Sequence, residues 1–185
     1  MTQSEWIELG VALLCAIGAS LLAAVETALS VITKSRAEKL VEDKVRGGER
    51  ILLITQDPAP TINSVMFARM ALEISSIVVA TIVMFTQFQV DWQRALATIG
   101  IMLVVSFVLW GVAPRTIGRQ KPEATLRFFG PLLTGITTVF GPVAQLMIYL
   151  GNALTPGRGY ADGPFATEAE LRDLVDFAEA QDLIE

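Results

Sequence analysis

The sequence predicts an all-α integral membrane protein: three transmembrane helices, a re-entrant or juxtamembrane helical hairpin, and a cytoplasmic acidic helix. Three observations carry that prediction. The 185 residues are 52% hydrophobic with a mean hydropathy of +0.53, too apolar for an ordinary soluble domain. The apolar residues fall in long blocks, each near the roughly 20 residues that cross a bilayer. Basic residues gather in only two of the connections between blocks.

The four blocks are residues 6–33, 61–86, 95–113 and 128–151. Residues 1–8 hold only Glu5 and Glu8 as charges, and no basic region precedes the first block, so it reads as a retained helix rather than a signal peptide. Lys34, Arg36, Lys39, Lys44, Arg46 and Arg50 follow it. Arg115, Arg119, Lys121 and Arg127 follow the third block, whereas the link QFQVDWQR holds Arg94 alone among basic residues. The positive-inside rule makes both basic connections cytoplasmic and sets the N-terminus outside a plasma (inner) membrane crossed several times. Within residues 34–56, Ala37, Leu40, Val41 and Val45 share one helical face while Glu38, Lys39, Glu42 and Arg46 take the other. Such a segment lies along the membrane surface.

The fourth block, FFGPLLTGITTVFGPVAQLMIYLG, poses a parity problem, because a full crossing would carry the C-terminal tail outside. Gly130-Pro131 and Gly141-Pro142 interrupt it, so the expectation is a segment broken into two pieces that returns to its own side. Residues 1–151 then form the membrane domain, 152–166 a Gly/Pro linker, and 167–185 the start of a cytoplasmic helical region. Thr167 and Glu170 form a capping box there, with Leu171, Leu174, Val175 and Ala178 on one face of an acidic helix that implies a larger parent protein.

Several functions are disfavoured. Cys15 is the single cysteine, so no intrachain disulfide forms, and the chain has no histidine for metal binding or proton relay. No basic, aromatic-interleaved patch suggests nucleic acid, and no nucleophile–base pair or phosphate-binding loop suggests an enzyme. The net charge of −5 averages regions of opposite sign. Ala12, Ala16, Ser20, Ala24 and Ala28 recur every fourth residue as a close-packing stripe, a contact within or between protomers. Trp6, Trp92 and Trp110 near segment ends read as interfacial aromatics. Pro114 is expected to end or kink the third helix, leaving Arg115 at the cytoplasmic surface.

The run AAVETALSVITKSRAEKL resembles the SGSETAL signature of the first helix in the CNNM/CorC magnesium-transporter family, and WGVAPRTIGRQ resembles its GEIxPKTxxR signature. The tail FATEAELRDLVDFAEAQDLIE is similar to the family's acidic helix that leads into paired nucleotide-binding CBS domains. The resemblance implies a homodimer with three membrane helices and a juxtamembrane belt. It also implies magnesium as the transported ion, with nucleotide bound only through CBS domains. This chain departs from the family's oxygen ligands: Ala23 and Val25 replace serines, Gly111 replaces a glutamate, and FARMALEI stands where the family has an asparagine-rich run.

A magnesium ion needs near-octahedral oxygen coordination, and here Glu26, Thr27, Ser30, Glu73, Ser75 and Ser76 remain as side-chain donors. Glu26 lies about seven residues from the cytoplasmic end of the first block and Arg69 about seven into the second, so both sit about 10 Å deep at ~1.5 Å per residue. They can meet, and Glu73 follows Arg69 by one turn. The triad would be a built-in substitute for the cation. Three readings stay open: a fastening between helices, a transport or gating element, or an arginine that snorkels to the interface. Correspondingly, the protein is a magnesium or divalent-cation exporter homologue with a degenerate ion site, or a non-transporting scaffold or regulator that binds another membrane protein.

Overall fold

The computed structural model describes residues 2–154; the linker and acidic helix expected over 155–185 lie outside the described residues. Two units divide the chain, Met1–Leu146 and Met147–Glu185, and the packing below belongs to the first. Its elements are α1 (Gln3–Val31), α2 (Lys34–Glu42), α3 (Gly48–Gln56), α4 (Pro58–Gln87), α5 (Asp91–Val105), a π-helical stretch (Ser106–Val112), α6 (Ala113–Gln120) and α7 (Pro122–Leu154), the last running on into the second unit. Four helical runs are long and apolar enough to cross a membrane: Gln3–Val31, Pro58–Gln87, Asp91–Gln120 and Pro122–Gly151. Large apolar side chains such as Leu14, Ile74, Ile99 and Leu103 face outward, as a surface solvated by lipid requires. The protein is a multi-pass membrane protein.

At the start of α1, Glu5 reaches back and accepts the Thr2 backbone N–H at 2.8 Å, which satisfies one of the donors a helix start leaves open. The helix runs antiparallel to α4, and the register can be followed along both. Gln87 donates to Glu5 at 3.3 Å near one end. Ser76 donates to the Ala12 carbonyl at 2.9 Å further in, and Arg69 reaches Glu26 toward the other end. Between them Gly18 leaves room for the Leu72 side chain, whose Cδ1 would lie 3.1 Å from an added Cβ. The small-residue stripe is thus a contact within the chain: Ala12, Ala16, Ala24 and Ala28 are buried in it.

Residues 34–56 form two short helices, α2 and α3. Lys44 at φ 52° and Gly47 at φ 89° take left-handed backbone in the turn between them. The expected amphipathic division holds on α2: Ala37 and Leu40 are buried, while Glu38, Lys39 and Glu42 are exposed.

Of the two outcomes expected at Pro114, an end of the third run is overturned: the run continues to Gln120, with its departure from α-helical geometry in the π stretch just before the proline. Proline lacks an N–H and its ring presses on the carbonyl four residues back, and the wide π turn immediately before it accommodates both effects. Within that turn Trp110 points inward, buried at 6% exposure against Ala16, Ala19 and Met102. Its indole N–H donates to the Ala16 carbonyl at 3.0 Å, so it is a core residue and not an interfacial anchor.

The broken hairpin over 128–151 is overturned. Residues 122–154 form one helix, with Pro131 and Pro142 inside it. The residue before a proline is normally pushed out of helical backbone by the clash of its Cβ with the proline ring. Gly130 and Gly141 have no Cβ, so each Gly-Pro pair lets the helix continue where another residue before proline would resist. The helix buries Leu126, Leu133 and Ile136, and its residues Leu133, Thr134 and Thr137 share a cavity with Arg50 and Ile54 of α3 and Thr61 of α4. Phe140 meets Phe67 with ring centroids 6.0 Å apart, and Gly141 faces the Ser64 hydroxyl.

Candidate functional site

Charged residues on α1 and α4 converge in the α1/α4 seam. Arg69 donates through Nε to Glu26 Oε2 at 2.7 Å, and its Nη1 donates to Glu73 Oε1. The three side chains are 16%, 26% and 17% exposed in the order Arg69, Glu26, Glu73. Glu73 meets Arg69 because residues four apart share a helix face; Glu26 meets it because the antiparallel register brings α1 and α4 to the same level. A charge taken from water persists when paired and hydrogen-bonded, and the planar guanidinium serves two carboxylates at once.

The hydroxyls around it are committed elsewhere. Thr27 donates to the Ala23 carbonyl and Ser30 to that of Glu26, both at 2.9 Å; Ser30 is exposed. Ser75 donates to the Ala71 carbonyl at 2.7 Å and faces outward. Ser76, one turn beyond Glu73, is buried and bonds across to α1. The structure therefore brings Glu26, Arg69 and Glu73 together, uses Ser76 to fasten the same two helices, and turns Ser30 and Ser75 away. Among the described residues no group of three or more His, Cys, Asp or Glu is placed to hold a metal ion.

The third run reaches this site through a residue the sequence reading did not single out. A Cβ on Gly118 would lie 2.4 Å from the Ala24 carbonyl oxygen and 2.9 Å from Thr27 Cβ. Only glycine permits that approach, so α6 rests directly on the ETAL stretch of α1. The one available signal was its position four after Pro114, with which it shares a buried face. Of the motif residues named from sequence, Pro114 is buried, Arg115 is exposed, and Gly111 sits on the π stretch. Gly111, Met102, Ser106 and Arg115 line an open cavity of about 680 Å³ on the outer side of that stretch. Also unforeseen is a buried polar run at the start of α4, comprising Thr61, Asn63 and Ser64.

Residues 10–185 match the family model for the Cyclin M transmembrane N-terminal domain. Two curated relatives, UPF0053 protein Mb2387c of Mycobacterium bovis and UPF0053 protein Rv2366c of Mycobacterium tuberculosis, are each 36% identical over 164 residues. The match covers 89% of this chain and 38% of either relative, so the chain spans well under half the length of the curated relatives it matches. With the AAVETALS stretch and the APRTIGRQ segment packed against each other through Gly118, and with the family model covering nearly the whole chain, this protein belongs to the CNNM family.

Proposed function

We propose that the chain is the membrane domain of a CNNM/CorC-type divalent-cation transporter homologue, with magnesium as the candidate ion and Arg69 as a tethered cation that closes its acidic site. The observation that carries this is one guanidinium hydrogen-bonded to carboxylates from two different helices. Magnesium gives up water only for well-placed oxygens, and the two carboxylates best able to supply them are occupied. A divalent ion can enter only when Arg69 swings away, so the arginine acts as a gate for it. The basic residues of α2, α3 and the α6–α7 junction support a cytoplasmic placement for that end of the helices, with the N-terminus outside.

Magnesium flux into vesicles containing the full-length protein tests this. Slow flux in the parent, faster flux in Arg69→Ala and none in Arg69→Ala combined with Glu26→Gln and Glu73→Gln is the expected pattern. A second reading is favoured by the lack of a three-ligand acidic group among the described residues: a non-transporting scaffold or regulator that binds another membrane protein. Absence of flux in both the parent and Arg69→Ala would sink the gate and leave that second reading.

A further inference from the structure

Away from the α1/α4 site, the turn between α2 and α3 faces the first turns of α7 across a cavity of about 970 Å³. Lys44, Arg46, Arg50 and Arg127 line it, with Glu49 as the one carboxylate. Among the described residues none of these four cations is in an ion pair, whereas nearby Arg36 is paired with Glu123. The cavity is held open by specific backbone features. Left-handed residues Lys44 and Gly47 fold the turn back toward α7. Arg127 Nε donates to the Arg46 carbonyl at 3.1 Å and ties the two walls together. Gly130 lets Arg50 lie across α7: an added Cβ there would be 3.2 Å from Arg50 Nη1.

Four cations against one carboxylate leave the cavity with a net positive charge, and an arrangement that holds them around one space favours an anion within it. The remaining lining identifies its source. Val41, Val45, Phe128 and Pro131 supply apolar wall, and Phe128 is 79% exposed at the rim. From Phe128 an exposed apolar stripe continues along α7 through Leu132, Val139 and Val143. A free phosphate has no use for such a stripe; an acyl chain does. The basic pocket also lies at the end of the membrane helices where the positive residues cluster, the level of phospholipid headgroups.

We propose that this cavity is a binding site for an anionic phospholipid, its headgroup phosphate held by Lys44, Arg46, Arg50 and Arg127 and one acyl chain lying along the outer face of α7. The site does not depend on the α1/α4 triad, so its success or failure is separate from that of the transport reading.

The test uses the full-length protein in nanodiscs and in mild detergent, with phosphatidylglycerol as the anionic lipid and phosphatidylcholine as the neutral control. Native mass spectrometry should show phosphatidylglycerol retained in preference to phosphatidylcholine, and phosphatidylglycerol should raise the melting temperature. Arg50→Gln and Lys44→Asn, the latter chosen because asparagine tolerates left-handed backbone, should each weaken retention about fivefold, the effect of losing one membrane-facing cation. Arg119→Gln, which removes an exposed charge elsewhere, should leave retention unchanged. Phe128→Ser keeps all four cations and should lower lipid retention while leaving any effect of inorganic phosphate alone. The proposal is overturned if retention is equal for the two lipids or unaffected by Arg50→Gln and Lys44→Asn. Stabilisation by millimolar inorganic phosphate or by poly-glutamate equal to that by phosphatidylglycerol would also overturn it, since the occupant would then be a soluble anion or an acidic protein.

Discussion

Arg69 shows how far a single residue can be read from sequence. Counting inward from the adjoining ends of two helices placed it level with Glu26, and the two side chains meet there, Nε to Oε2 at 2.7 Å. Its second bond, to Glu73, follows from helical spacing alone. Trp110 shows the opposite, because position near a segment end said nothing of the π turn that swings the ring inward to the Ala16 carbonyl. Removing Arg69 leaves two carboxylates without their shared partner. Arg69→Ala should lower stability by roughly 3 to 5 kcal/mol, reduced for the partial exposure of the triad, and Glu26→Gln with Glu73→Gln should partly restore it. Melting of the purified protein with and without millimolar magnesium supplies a second readout: no effect on the parent, stabilisation of Arg69→Ala. A variant as stable as the parent would mean that the triad contributes nothing.

Among the elements, α1 is the one on which the others depend. Its stripe of small residues was legible as a packing face, but what packed there was not, since periodicity does not name a partner. The structure assigns α4 to one part of the stripe and α6 to another, the latter through Gly118. Gly118→Ala places a Cβ 2.4 Å from the Ala24 carbonyl oxygen and should destabilise the domain by about 1 to 3 kcal/mol, seen as a lower melting temperature. Gly100→Ala, where nothing lies within 4 Å, is the matched control and should be neutral or slightly stabilising. Equal effects of the two substitutions would show that α6 does not rest on α1 as described. The helix α7 was misread because Gly-Pro was treated as two breakers added together, when the glycine removes one of the proline's clashes, the one with the Cβ of the preceding residue.

For the whole molecule, the apolar blocks and basic connections were enough to identify a helical membrane domain, and two sequence signatures were enough to suggest its family. The number of long helices was not legible, because length and hydropathy describe a straight helix and a folded-back one equally well. Spin labels at Phe128 and Leu146, in a Cys15→Ser background, should lie about 27 Å apart along a continuous α7, given ~1.5 Å per residue. A separation below roughly 15 Å would restore the hairpin, since a returning segment brings its ends together.

The Arg69 site also has a valence. Two carboxylates against one guanidinium sum to a single negative charge, and among the described residues neither carboxylate has a second cationic partner. Electroneutrality within hydrocarbon asks for one further positive charge. A monovalent ion supplies it; a divalent ion overshoots. While Arg69 stays in place the protein should therefore favour sodium or potassium over magnesium, and only its departure, which doubles the deficit, makes a divalent ion the matching guest. Comparing the parent's melting temperature in sodium chloride and in magnesium chloride at equal ionic strength would expose the difference, and greater stabilisation by magnesium would contradict it.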